Sequence, residues 1–243
     1  MCVIIVPTEK HPTLDELEAA EVTNPHGGAI AWKHDDGLLR YIKDIDAADI
    51  SDIINCENPQ FPYIIHFRIT SSGTTRPELC HPFPINHSVT MKTKWKGKSS
   101  LLFHNGTCSD WETMIAAHAG ARDFPKGHIW SDSRALAWLA YKTRKKVFQF
   151  VHEKIAILNL DGTVEYFGRF DHEDSFIMSN TNHIKKYVTS YHDRGAGYLH
   201  WQNKKVDEKK TKVGAQLDLT PEDQTRKDLS EEEALWTDYL SSM

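Results

Sequence analysis

Apolar runs in this chain are short and fall in pairs, with helical segments between the pairs. That alternation specifies an α+β fold, in which antiparallel sheets are covered by segregated helices. The first run follows the initiator at once, Met1-Cys2-Val3-Ile4-Ile5-Val6, and reads as a buried strand. Thr13-Leu14-Asp15-Glu16 has capping-box spacing, so a helix is predicted to continue through residue 21. Asn24-Pro25-His26-Gly27-Gly28 is turn chemistry, and a strand over 29–33 follows it. Asp35-Asp36-Gly37 marks a tight hairpin into a strand over 38–42. Residues 47–56 fit an amphipathic helix, with Ile50, Ile53 and Ile54 on one side. A strand over 63–69 leads into a loop over 70–84 rich in Ser, Thr, Gly and Pro. A strand over 100–104 ends on the turn-prone pair Asn105-Gly106. Ser109-Asp110-Trp111-Glu112 is a second capping box, opening a helix to about residue 120. Residues 132–141 form a further helix, and 154–160 with 163–167 form a hairpin about Asp161-Gly162.

The 243 residues suffice for one domain of generous size with a tail. The composition shifts near residue 203, where apolar residues become sparse and Lys, Asp, Glu, Thr and Gln dominate. The expected organisation is a domain over 1–202, a charged disordered linker over 203–229 and a short docking helix over 230–243. That last segment opens on Ser230-Glu231-Glu232-Glu233 and carries Leu235, Trp236, Tyr239 and Leu240. A net charge of −5 gives no electrostatic case for nucleic acid. The basic stretch from Lys92 to Lys98 reads as a solvated hairpin. No apolar run approaches the ~20 residues a membrane span needs, and the N-terminus lacks the charged start of a signal peptide. Cys2, Cys56, Cys80 and Cys108 form no C-x-x-C pair, which suits free thiols in a reducing cytoplasm. The fourteen histidines show neither H-x-H nor H-E-x-x-H spacing, so no metal and no cofactor are expected.

The position of Cys2 carries chemistry. Methionine aminopeptidase removes an initiator Met before a small residue, and the mature chain is then expected to begin at Cys2. A thiol with a reference pKa of about 8.5 would sit on the same residue as an α-amine of about 7.7–8.0. A nucleophile paired with an N-terminal amine as its base is an established route to amide attack. Four further segments share the character of a site. They are His66-Phe67-Arg68, followed by a small-residue loop; His81-Pro82-Phe83; Phe103-His104-Asn105-Gly106; and Ser131-Asp132-Ser133 at a helix start.

Taken in order, these segments, the Met-Cys start and the Gly-rich turn near residue 27 resemble the class II glutamine amidotransferase domain of the N-terminal-nucleophile hydrolases. The resemblance covers roughly residues 2–185. It implies a four-layer αββα sandwich of two antiparallel sheets covered by helices. It also implies attack by a Cys2 thiolate on the side-chain amide of glutamine, through a γ-glutamyl thioester. Glutamine presents an α-carboxylate, which suits the guanidinium fork of Arg68. Its α-ammonium suits Asp132, whose charge is favoured at a helix N-terminus. The Asn105 side chain and the Gly106 N–H are the implied oxyanion donors, with glycine expected there for its conformational freedom. The resemblance further implies that Ser71, Gly73 and His81 shape the pocket and that Gly27 or Gly28 lies beside the nucleophile. Two positions depart from the family. Many members have Thr-His where Ser71-Ser72 stand, and Glu where Arg134 stands, so positive charge is expected near the ammonium pocket.

Well-known members of that family fuse this domain to a synthase that consumes the ammonia. No phosphate-cradling Gly-rich loop or sugar-isomerase-sized region is present here. The preferred expectation is a glutaminase that supplies a separate synthase, docked through Leu235, Trp236, Tyr239 and Leu240. An amidohydrolase cleaving a γ-glutamyl or related amide is the alternative. A non-catalytic binding protein has no use for the combination of Cys2, Arg68, Asn105 and Asp132.

Overall fold

The computed structural model describes residues 2–70, 75–118 and 129–183. All of them lie within one compact unit of the chain, Met1–Ser190. The segments read as linker and docking helix, 203–229 and 230–243, lie outside the described residues, as do Ser71 and Gly73.

Among the described residues, eleven strands build two sheets. They are β1 (Val3–Pro7), β2 (Gly28–Lys33), β3 (Leu39–Ile45), β4 (Ile64–Phe67), β5 (Phe83–Pro84), β6 (Lys94–Gly97), β7 (Leu101–Asn105), β8 (Lys154–Leu158), β9 (Val164–Phe167), β10 (Asp171–Glu173) and β11 (Phe176–Met178). The larger sheet has the order β10-β11-β1-β4-β2-β3-β6, and the smaller has β5-β7-β8-β9. Every strand pair is antiparallel. The helices are α1 (Leu14–Thr23), α2 (Ala47–Glu57), α3 (Trp111–His118) and α4 (Asp132–Lys142). The α+β class read from the sequence is therefore the one observed.

Period-two alternation explains the layering, because successive side chains of a strand point to opposite faces. Val3 and Ile5 of β1 join Ile65 and Phe67 of β4 and Ile30 of β2 in one apolar cluster with Leu17 of α1 and Ile50 of α2. Ile4, Val6 and Ile64 take the other face and meet Leu101, Phe103, Ala156 and Leu158 of the smaller sheet. Leu102, Ile155 and Ile157 face away from that contact and pack with Leu136 and Leu139 of α4. Both sheets are thus covered on two sides, an arrangement compatible with a sandwich. Strands with both faces buried read as continuous apolar runs, which is why VIIV opens the chain.

Local chemistry sets the ends of the elements. Thr13 caps α1 with a complete capping box to Glu16. Asp46 does the same for α2 through Asp49, a box not anticipated from the sequence. Gly37 has φ +79° in the β2–β3 hairpin, a conformation glycine adopts without cost.

Two expectations are corrected. The basic stretch 92–98 is no free-standing hairpin: Lys94–Gly97 form edge strand β6, paired with β3. Its lysines suit an edge, where charge discourages pairing with other chains. The 70–84 loop contains a 3-10 turn, Pro77–Leu79, and the short strand β5. The N-cap of α4 is Ser131, whose hydroxyl accepts from the Arg134 N–H, so Asp132 is the first helical residue.

Phe103 is fully buried between the two sheets. Replacing it with alanine should cost about 3–5 kcal/mol. At this size that is a melting-temperature drop of about 6–20 °C, read by circular dichroism. A drop below 2 °C would mean that the sheets are not held by this contact.

Candidate functional site

Strand order assembles the first half of the site. β4 lies between β1 and β2. The registers pair Val3 with Phe67 and Gly28 with Phe67. One step further along, Cys2, Arg68 and Gly27 stand side by side at one end of the larger sheet. The Arg68 backbone closes that end, since its N–H donates to Gly27 O at 2.9 Å and its carbonyl accepts from His26 N–H at 3.0 Å. Three residues from distant parts of the chain are neighbours because three strands are.

The Cys2 thiol is half-buried. It lies 3.5 Å from the Ile69 carbonyl, to which it donates, and 3.4 Å from the Ile69 N–H, which donates to it. Burial pushes its pKa up, against the opposing pull of the Ile69 N–H and the Arg68 guanidinium. Arg68 is buried, and one of its terminal nitrogens donates to Arg76 O at 3.3 Å. Lys43, also buried, donates to Glu78 O at 2.9 Å and rests 4.6 Å over the Phe83 ring. Two buried cations therefore hold the chain over 76–78. Desolvation lowers the Lys43 pKa to about 7.

Gly27 has φ +105°, and a Cβ there would stand 2.7 Å from Cys80 Sγ. Both the backbone and the space demand glycine. Gly28 is required by space alone, with Ile45 O 2.6 Å from a would-be Cβ.

The second half comes from the smaller sheet. Asn105 ends β7, is buried, and donates through Nδ2 to Ser179 Oγ at 2.7 Å. Its Oδ1 is buried without a partner among the described residues. Gly106 follows, and the reason for glycine differs from the one expected. It is not among the residues with positive φ; instead a Cβ would lie 2.4 Å from Glu153 Cγ. Asp132 accepts from Cys108 N–H at 3.0 Å and Ser133 N–H at 2.8 Å, so it ties the turn after β7 to the start of α4. Its carboxylate stands 3.9 Å from His104 Nδ1, which contacts Ser133 Oγ at 2.9 Å.

Arg134 does not join Asp132. It donates to Val89 O at 2.9 Å and Ile129 O at 2.7 Å and stacks 4.4 Å over the Trp130 ring. Residues two apart on a helix do not face each other, so its charge serves a different loop junction.

Several participants were invisible in the sequence. Ser179 and Asn180 follow β11 and join both halves. Ile4 N–H donates to Ser179 Oγ and Ser179 N–H to Ile4 O, each at 2.9 Å. Lys154 donates to Ser179 O, and Asn180 Nδ2 donates to Cys2 O at 2.8 Å. Only a strand predicted at β11 could have exposed this segment, and three residues carry no readable period. His81 turns inward rather than lining an open surface: its Nδ1 is 2.9 Å from His66 Nε2, and both rings are buried. Burial holds both imidazoles neutral, His66 down to about 3 and His81 well below its ordinary value.

Among the described residues, no group of three or more His, Cys, Asp or Glu is arranged to hold a metal ion. Nor is any helix among them long and apolar enough to cross a membrane. No protein-family model and no curated protein matches this chain.

The buried histidines make stability pH-dependent in a stated direction. Their folded pKa values lie below 6.5, so the unfolded chain takes up protons first as the pH falls. Stability is full above about 6.5 and declines toward about 3, by at most about 1.4 kcal/mol per pH unit for each histidine. Urea unfolding at pH 5 should give a free energy on the order of 2–4 kcal/mol below that at pH 7. His66→Gln should flatten that slope; equal stabilities of the wild type at the two pH values would contradict a neutral buried pair.

Proposed function

We propose that the protein is a glutaminase of the class II glutamine amidotransferase type, working through Cys2 as an N-terminal nucleophile on the N-terminal-nucleophile hydrolase fold. The observation that carries this reading is the shared sheet end, where the Cys2 thiol, the Arg68 backbone and Gly27 meet, with Asn105 reached through Ser179. A structural cysteine needs none of this company.

The chemistry runs in two steps. With Met1 removed, the Cys2 α-amine takes the thiol proton, directly or through water. Sγ bonds to the side-chain amide carbon of glutamine, and the carbonyl becomes an oxyanion. An asparagine amide carries two N–H bonds. One from Asn105 serves Ser179, and the other, with the Gly106 N–H, serves the oxyanion. The amine returns its proton to the leaving nitrogen, ammonia departs and a γ-glutamyl thioester remains. Water then attacks the thioester, glutamate leaves and the thiol re-forms.

Arg68 receives the substrate α-carboxylate and Asp132 the α-ammonium. The Arg134 guanidinium is bound at Val89 O and Ile129 O, which leaves Asp132 to the α-ammonium of free glutamine or of a γ-glutamyl amide alike. The ammonia passes to a separate synthase. Leu235, Trp236, Tyr239 and Leu240 form the docking surface in this reading, and the site works in a cytoplasmic setting that keeps Cys2 reduced.

Intact mass of untagged protein, before and after a diazo-ketone glutamine analogue, tests the reading. Loss of Met1 and one adduct on Cys2, blocked by excess glutamine, is expected. Cys2→Ala should abolish glutamate release, Asn105→Ala should lower kcat by about 10²–10³, and Arg68→Lys should mainly raise KM. Faster cleavage of a γ-glutamyl conjugate than of glutamine would favour the amidohydrolase. Retention of Met1 in the native host would sink the mechanism.

A further inference from the structure

The bond from Asn180 to Cys2 holds the residue that precedes β1. The last paired residues of β1 and β4 are Val3 and Phe67, so Cys2 stands one step beyond the ladder. Strand ends without partners fray. Here the Cys2 carbonyl receives Asn180 Nδ2 at 2.8 Å. The direction of that amide is itself fixed, because Asn180 Oδ1 accepts from Asn182 N–H at 3.2 Å. Asn180 is buried, and its neighbour Ser179 is bonded to Ile4, Asn105 and Lys154. The donor is therefore held from several sides.

Fixing the Cys2 carbonyl fixes its peptide plane and so places Cα. The thiol is held independently by Ile69, at 3.4 and 3.5 Å. With Cα and Sγ both set, the third substituent of Cα, the α-amine, has a single direction left. We propose that Asn180 is a positioning residue for the nucleophile, aiming the Cys2 α-amine relative to the thiol it must deprotonate. It touches neither substrate nor reacting atom. Its contribution is orientation, where a misplacement of about 1 Å can cost about 10²-fold in rate. The proposal rests on the reading of Cys2 as an N-terminal nucleophile.

The test compares wild type, Asn180→Ala and Asn180→Asp. Asn180→Asp keeps the shape and the bond from Asn182 N–H, but turns a carboxylate oxygen toward the Cys2 carbonyl, so it serves if the alanine variant misfolds. The first readout is the rate of Cys2 alkylation by iodoacetamide against pH, resolved by peptide mass spectrometry. The second is glutamate release from glutamine. Both variants should melt near the wild type and alkylate more slowly at pH 7–8. Their kcat should fall about 10- to 100-fold with KM within twofold. Asn180→Asp should also move the alkylation midpoint to higher pH, because a carboxylate favours the protonated amine. A wild-type alkylation profile with unchanged kcat overturns the proposal, and so does a change confined to KM, which would mark Asn180 as a substrate contact. If the wild type releases no glutamate while the alkylation profiles shift as stated, the positioning role stands and the glutaminase reading falls.

Discussion

Everything at the candidate site depends on how β1 is held. It is flanked by β4 on one side and β11 on the other, and both of its faces are buried. A central strand with covered faces has no freedom to slip, since a one-residue shift would exchange its two apolar sets, Val3 and Ile5 against Ile4 and Val6. The end of such a strand is a fixed point. A reactive group placed there inherits the rigidity of both sheets, where a surface loop would have to supply it through side chains alone. Ser179 extends this rigidity across the gap between the sheets. It meets Ile4 by backbone in one direction and by hydroxyl in the other, and it holds Asn105 at the end of β7.

Much of the fold was legible because its signals were local. Capping at Thr13, the Asp36-Gly37 hairpin and the turn at Asp161-Gly162 each involve a few adjacent residues whose chemistry dictates one conformation. The site was legible in part for another reason. Cys2, Arg68, Gly27, Asn105 and Asp132 each lie at the end of an element or one residue beyond it, where motifs stand out from the apolar runs. Two things were not legible. Strands β5, β10 and β11 span two or three residues, too few for any period. The partners of a polar group also cannot be read when they are far apart in sequence. Ser179 lies 175 residues from Ile4 and 74 from Asn105. The reason for glycine at 106 was missed likewise, because the obstacle is the side chain of Glu153 on a neighbouring segment rather than its own backbone.

The interior behind the site is polar without being charged. His66, His81 and His104 are buried close together, with rings 4.3 Å apart for the first pair and 6.4 Å for His81 and His104. Three imidazolium ions there would repel one another and lack solvent, and desolvation is the leading cause that keeps each neutral. The neighbouring cations Arg68 and Lys43 oppose protonation of His81 as well. A carboxylate reaching this end of the sheet would meet the Arg68 guanidinium and a set of neutral dipoles.

The state of the Cys2 thiol follows from the same surroundings. Burial raises its pKa more than Arg68 and the Ile69 N–H lower it, so at neutral pH the resting group is a thiol. A site that relied on a preformed thiolate would be built the other way, with charge outweighing burial. In the proposed mechanism the proton leaves as the sulfur attacks, which calls for a base on the spot. Neither His66 nor His81 can serve, since each imidazole is engaged with the other in the interior. In that mechanism the base is the α-amine that removal of Met1 would free on Cys2 itself. The Ile69 N–H then acquires a purpose beyond closing the strand: it already points at sulfur, and it gains most when the sulfur becomes an anion.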